Sequence, residues 1–253
     1  MIHFKTQEEI KIMQHGGKIL SEVLYQVMEE VKPGVTELEI DQLAEKLIRE
    51  RGGEPGFQKV QGYKHTICVS TNDVVVHGIP GSYTFKNGDV VGIDCGVFYK
   101  GFHTDMSESK IVESPGFKAH DDVQKFLEVG KRALTAGIKA ALVGNRIGHI
   151  SQAIQTIVEG NGYAVVRSLI GHGVGRDLHE EPEVPGYLAR SLAKTPLLKP
   201  GMTIAVEVIY NMGGANVMLD TDGWTIRTED GELAGLYERT IAITEKGPLM
   251  LTA

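Results

Sequence analysis

Four acids stand in this chain where a soluble protein rarely places charge. Glu207 lies inside Thr203-Ile204-Ala205-Val206-Glu207-Val208-Ile209, and Glu238 inside Leu236-Tyr237-Glu238-Arg239-Thr240-Ile241-Ala242-Ile243. A carboxylate within such an apolar run is seldom buried unless it is paired or bound to a metal. Arg239 is next to Glu238, but successive strand residues point to opposite faces, which makes it a poor partner. Asp94 and Asp105 are eleven residues apart across a hairpin, flanked by Ile93, Val97, Phe98 and Phe102. A symmetric turn centred between Tyr99 and Lys100 sets the two directly opposite, with Cβ atoms about 4.5–5.5 Å apart. Opposed, poorly hydrated carboxylates are destabilising unless one is protonated or a cation bridges them. A bulge or register shift that turns one acid to solvent fits the hairpin equally well, and the two strand glutamates tip the choice toward the cation.

The matching imidazole is His172, in Gly171-His172-Gly173-Val174-Gly175-Arg176-Asp177-Leu178-His179-Glu180-Glu181-Pro182, where glycines let the backbone bend close to whatever His172 touches. His179 follows seven residues later, and His77 ends the apolar run Val75-Val76. Four carboxylates and one imidazole form a hard, oxygen-rich donor set that suits Mn, Fe or Co, with Zn admissible. Four acids suffice for two ions with bridging carboxylates, an arrangement that activates water near neutral pH and polarises a carbonyl.

These residues need strands to carry them and helices to back the strands. Ile10, Met13, Gly17, Leu20, Leu24, Val27 and Val31 recur at helical spacing from Thr6 to about Val31. Pro33-Gly34 breaks that helix, and Thr36 with Glu39 reads as the capping box of a second one ending at Gly52-Gly53. Strand and loop follow from Tyr63 to Ile79, then two strands between Asp89 and Ile111. A second helix pair is expected over about 121–143 and 147–160, with strands over 163–170, 202–210 and 237–244. The order of helix pair and strands thus occurs twice. Gly17-Lys18 and Gly130-Lys131 are 113 residues apart, as are Asp94 and Glu207, each acid six residues after a glycine. This reads as a diverged duplication, with chance similarity between helix–strand alternations as the other explanation. The expectation is a single α+β domain over 1–253 with pseudo-symmetric halves at about 1–115 and 116–253.

Together, Val75–Pro80, Ile93–Asp105, Gly171–Pro182, Gly201–Glu207 and Tyr237–Thr244 resemble the methionine aminopeptidases of the pita-bread fold, in the type I layout and over essentially the whole chain. The resemblance implies an α+β fold of duplicated helix pairs on an antiparallel sheet, and metal-dependent removal of N-terminal methionine from peptides and nascent proteins. It implies two divalent ions held by Asp94, Asp105, His172, Glu207 and Glu238, with Asp105 and Glu238 bridging. Glu207 would double as proton shuttle for the attacking water, His179 would hydrogen-bond the scissile carbonyl, and His77 would contact the scissile amide. Phe57, Tyr63, Cys68, His77, Leu178, His179 and Trp224 fall at substrate-binding positions. The chain departs from the family at several of these places. Phe57 and Val60 stand where bacterial type I enzymes commonly carry Cys and Tyr, and Leu178 replaces an aromatic. Gly96 replaces Thr, and Arg239 replaces His. None removes an implied ligand.

Composition sets the outer limits. With 42% hydrophobic and 23% charged residues the chain reads as an ordinary globular enzyme, and its net charge of −7 disfavours direct nucleic-acid binding. Two cysteines, Cys68 and Cys95, cannot build a disulfide framework or a four-cysteine zinc site, and both are expected buried and reduced. No apolar run suits a membrane span, and Met1–Thr6 lacks signal-peptide features. The expectation is a cytoplasmic monomer acting on N-termini, with ribosome association left open. A proline-dependent peptidase on the same fold and a non-catalytic pita-bread binding protein are the competing readings.

Overall fold

A computed structural model describes residues 1–253. The chain opens with helices α1 (Gln7–Glu30) and α2 (Glu37–Glu50). Both start where the sequence places them. Thr6 and Glu9 cap α1 reciprocally, at 3.2 and 2.8 Å, and Thr36 and Glu39 do the same for α2, at 3.3 and 2.8 Å. Then come β1 (Glu54–Pro55), β2 (Ile67–Thr71), β3 (Val74–Val76), β4 (Val90–Tyr99) and β5 (Phe102–Ile111). The second helix pair is α3 (Asp121–Ala140) and α4 (Ile147–Gly160), followed by β6 (Ala164–Val165), β7 (Gly171–Gly173) and β8 (Glu180–Val184). The chain ends with β9 (Thr203–Asn211), β10 (Val217–Leu219), β11 (Ile226–Thr228), β12 (Ala234–Thr244) and β13 (Gly247–Met250).

One ten-stranded sheet carries the fold, with β1-β4-β5-β12-β9-β7-β8 side by side and β2, β6 and β13 paired to β4, β9 and β12. All its pairs are antiparallel. A smaller sheet orders β10-β11-β3. Strand alternation divides the large sheet's faces. Val91, Ile93, Cys95 and Val97 of β4 pack with Leu20, Leu24 and Ile40 of α1 and α2. Ile204, Val206, Val208 and Tyr210 of β9 pack with Phe126, Ile150 and Ile154 of α3 and α4. The intervening residues, Asp94, Gly96, Ala205 and Glu207 among them, are left for the other face. This is the helix-backed α+β arrangement expected of a pita-bread fold. No helix is long and apolar enough to cross a membrane.

Three expectations need correction. The turn between β4 and β5 is centred one residue later than expected, between Lys100 and Gly101, whose φ values of 47° and 89° form a tight two-residue hairpin turn. Asp94 therefore faces Ser107, and Asp105 faces Gly96, so the two acids are diagonal neighbours on one face rather than directly opposed. Helix α3 stops at Ala140, where Asn145 Nδ2 donates to the Ala140 carbonyl at 2.9 Å; Leu142 and Val143 extended the apolar pattern but are exposed. The strand expected over 163–170 shrinks to Ala164–Val165, and Leu169 and Ile170 leave the sheet to line a cavity.

Candidate metal centre

Two adjacent lines of residues run across the middle of the large sheet. In the first, Cys68 of β2 pairs with Asp94 of β4, Asp94 with Ser107 of β5, Ser107 with Glu238 of β12, and Glu238 with Glu207 of β9. In the second, Gly96 pairs with Asp105, Thr240 with Ala205, and Ala205 with His172 of β7. Thr240 closes that line by accepting from the Asp105 amide at 2.9 Å and donating to the Asp105 carbonyl at 2.8 Å. Directly paired residues share a face, and so do residues two apart along a strand. Five potential ligands from five strands thus point to one side.

They point into a cavity of ≈ 220 Å³ whose wall includes Asp94, Asp105, His172, Glu207 and Glu238. Donor atoms of Asp105, His172 and Glu238 all lie within 4.8 Å of one another, and His172 Nε2 is 4.0 Å from Asp105 Oδ2. Asp94 and Glu207 flank this trio along the acid line. The His172 ring is oriented by its other nitrogen, which lies 2.9 Å from the Gly173 carbonyl. A carbonyl only accepts, so the proton sits on Nδ1 and the Nε2 lone pair is free for a cation. Only glycine fits on either side of His172. A Cβ at Gly171 would lie 2.6 Å from the Ala205 carbonyl oxygen, and one at Gly173 would lie 2.2 Å from that of Glu181.

The electrostatics suit a cation site. Burial pushes the Asp94 carboxyl up to about 7. It pushes Glu207 up to about 8, with the Asp94 charge adding to the rise. Asp105 and Glu238 are held well above the ordinary carboxylate range, first by burial and then by the surrounding acids. Burial, with His179 nearby, lowers His172 to about 3, which keeps it neutral as a ligand must be. Asp94 Oδ1 and Glu238 Oε1 are buried without any hydrogen-bond partner. Orphaned acceptors beside mutually repelling carboxyls are what a cation site looks like from the protein's side.

The remaining expected site residues gather on the same cavity. His77 follows β3 with φ 58°, a left-handed backbone that costs a non-glycine residue on the order of 1–2 kcal/mol. His179 stands with its ring centroid 4.3 Å from that of His172, at 71°. Phe57, Tyr63, Cys68 and Leu178 form a small buried cluster joined by Val60, Ile79 and Trp224, so the expected pocket residues do line one apolar recess beside the acids. Tyr63 donates to the Ile67 carbonyl at 2.7 Å and receives the Cys68 thiol at 3.3 Å, and both cysteines are free. Arg239 turns to the helix side, as strand alternation requires. There it donates to the carbonyls of Ser107 and Glu238 at 2.9 and 2.7 Å and to Glu108 at 2.6 Å.

Some site features were not anticipated. Val76, Leu169, Ile170 and Ile209 complete the cavity wall, and a loop carrying Leu169 and Ile170 leaves no periodic signal. The segment before His179 is tied down from afar. Lys5 forms a buried ion pair with Glu180, which also accepts from the amides of Arg176 and Asp177 at 2.7 and 3.3 Å. Ser107, inside the acid line, was legible only once the register was known.

Comparison with known proteins agrees with this geometry. The sequence model of metallopeptidase family M24 matches residues 11–245. The chain is 42% identical to a methionine aminopeptidase of Clostridium perfringens over 252 residues, covering 100% of this chain and 99% of the relative. Its structure superposes on the crystal structure of a methionine aminopeptidase from Thermotoga maritima with TM-score 0.95 at 36% identity, covering 100% and 99% of the two chains. Against a prolidase from Pyrococcus furiosus the TM-score is 0.79 at 24% identity over 65% of that longer chain, a likeness of fold alone. Strand-borne acids, a family match over residues 11–245 and full-length likeness in sequence and structure converge: the chain belongs to metallopeptidase family M24 and, within it, to the methionine aminopeptidases.

Proposed function

We propose that this chain removes the N-terminal methionine from peptides and newly made proteins, using two divalent ions held by Asp94, Asp105, His172, Glu207 and Glu238. The observation that carries the reading is the pair of ligand lines on one sheet face, with buried and half-buried acids, orphaned oxygens and an imidazole aimed into one cavity. The donor set, four carboxylates and one imidazole, favours Mn, Fe or Co and admits Zn. When bound, such ions supply a polarised carbonyl and a water acidified toward neutral pH. Asp105 and Glu238, whose donor atoms lie within 4.8 Å of each other and of His172, would be the residues that hold both ions. Glu207, on the cavity wall beside the other acids, would take a proton from the attacking water and return it to the leaving amine. His179 donates to the scissile carbonyl as it becomes an oxyanion, and His77 contacts the amide that departs. The methionine side chain fills the recess of Phe57, Tyr63, Cys68, Leu178 and Trp224, with the free α-amine beside the acids.

The test is a peptide panel varying the first two residues, run with Mn and Co. Methionine release from Met-Ala-Ser supports the reading. No release by folded protein under any metal refutes it, and cleavage of Xaa-Pro but not Met-Ala peptides transfers it to the proline-dependent peptidases. We further place the chain in the cytoplasm as a monomer, a state that its net charge of −7 supports. Sedimentation tests the monomer, and co-sedimentation with ribosomes tests whether it docks there. The two helix pairs, and the placing of Asp94 and Glu207 on the equivalent strands β4 and β9, support one domain built from halves at about 1–115 and 116–253.

A further inference from the structure

Ser107 stands at the centre of the acid line, paired with Asp94 on one side and Glu238 on the other. Directly paired residues have Cβ atoms about 4.5–5.5 Å apart, so its side chain is flanked at close range by two carboxyls on the same face. Ser107 is fully buried at 0% exposure, and its Oγ has no hydrogen-bond partner. Asp94 Oδ1 and Glu238 Oε1, in the positions on either side, have none either. Three orphaned polar atoms therefore occupy three consecutive places in one line.

The nearest buried hydroxyls on β5 and β12 are engaged by the backbone, whereas Ser70 Oγ on β2 is also without a partner. Ser109 donates to the Leu236 carbonyl at 2.7 Å, and Thr240 to that of Asp105 at 2.8 Å. A buried hydroxyl with no partner destabilises a fold, and alanine would fill the same strand position without that cost. A carboxylate that ligates a cation is an acceptor only, and it keeps lone pairs that point away from the metal. The one donor placed between two such carboxylates has its partner when the ions are present.

We propose that Ser107 is a positioning residue of the metal centre, its hydroxyl donating to the Asp94–Glu238 pair in the loaded state and fixing the rotation of those carboxylates. The proposal rests on the reading of the five residues above as metal ligands, and its test separates the two. Mn²⁺ is titrated calorimetrically into metal-free wild type, Ser107→Ala and Ser109→Ala, and the melting of each metal-free protein is recorded. Ser107→Ala is expected to bind Mn²⁺ about 10- to 100-fold more weakly, the range for loss of a hydrogen bond to a ligating carboxylate. Its metal-free melting point should be unchanged or higher, because an orphaned atom is gone. Ser109→Ala is expected to melt lower and to bind Mn²⁺ as wild type does. Mn²⁺ affinity of Ser107→Ala within about twofold of wild type overturns the role of Ser107. So does a loss of affinity matched by an equal loss of metal-free stability. A wild type that takes up no divalent ion removes the metal centre itself, and this role with it.

Discussion

Gly96→Ala tests whether two of this chain's departures from its family are one coupled change. A Cβ added at Gly96 would lie 2.7 and 2.9 Å from two carbons of the Phe57 ring. Carbon atoms settle at about 3.5–4.0 Å, so the ring edge must retreat by roughly 1 Å. The Phe57 backbone cannot retreat with it, because the Gly56 amide donates to the Gly96 carbonyl at 2.8 Å and pins this segment to β4. Phe57 is packed in the cluster with Tyr63, Cys68 and Leu178, and the open volume beside it is the cavity they share. The ring therefore swings into the recess proposed for the methionine side chain. Overpacking of this kind costs about 1–3 kcal/mol, which corresponds to a fall of roughly 5- to 150-fold in kcat/KM for Met-Ala-Ser if it is expressed in substrate binding.

The assay is kcat/KM for Met-Ala-Ser and for a peptide with a smaller first residue, on wild type, Gly96→Ala, Phe57→Leu and the double variant. Gly96→Ala should lose more on the methionine peptide than on the smaller one, chiefly through KM. Adding Phe57→Leu removes the clashing ring edge, so the double variant should recover, with a coupling free energy of about 1 kcal/mol or more. Unchanged methionine turnover in Gly96→Ala, together with strict additivity in the double variant, would refute the coupling. The family's Thr at this position would then be missing for some other reason.

Further outcomes follow from the buried charges. Asp94 and Glu207 have carboxyls raised by burial to about 7 and about 8, whereas the unfolded chain ionises near 4. The metal-free fold thus holds more protons than the unfolded chain between these values, and its stability falls as pH rises from about 4 through about 8. Melting of metal-free protein should drop across that window, while saturating Mn²⁺ flattens the curve; a metal-free melting point that climbs with pH contradicts this. Glu207→Gln, which removes a ligand charge together with the shuttle, should lower kcat by about 10²- to 10⁴-fold or more, and wild-type turnover in this variant would end the shuttle role. Lys5→Ala leaves Glu180 as an unpaired charge in a site where both side chains are 4–5% exposed. Breaking such a pair costs about 3–5 kcal/mol, so melting should fall by roughly 6–20 °C. Adding Glu180→Gln should restore part of the loss, and an unchanged melting point in Lys5→Ala would show the ion pair to be dispensable.

What the sequence disclosed depended on how far each signal extends along the chain. The starts of α1 and α2 were legible because Thr6–Glu9 and Thr36–Glu39 are local devices that read the same in one dimension as in three. Glu207 and Glu238 were legible as anomalies against long apolar runs. The register of Asp94 and Asp105 was not, because it hangs on the positive φ of Lys100 beside Gly101, and a one-residue change in turn centre moves each acid's partner by two. Strands β7, β10 and β11 are three residues each, too short for an alternation to show, yet β7 carries His172 and β11 holds β3 in front of His77. Ser107 was silent because serine is unremarkable in a strand until both neighbours across the sheet are known to be acids.

The same alternation that builds the core also makes the site unstable when empty. On β4, β9 and β12 each acid sits between residues such as Ile93, Val206 and Tyr237, which are fully buried under the helices. Those neighbours fix the strand's rotation, so Asp94, Glu207 and Glu238 cannot turn to solvent without pulling apolar side chains out of the core. Arg239 works from behind in the same sense, holding the carbonyls of Ser107 and Glu238 on adjacent strands from the helix side. The helix-backed face therefore supplies the stability that lets the opposite face keep four carboxyls around one cavity, and either protons or divalent ions relieve them without moving a strand. It follows that ligand replacement by a neutral isostere, Glu238→Gln for instance, should raise the stability of the metal-free protein while abolishing high-affinity metal uptake. A metal site assembled on flexible loops would instead relax around the missing charge and show little gain.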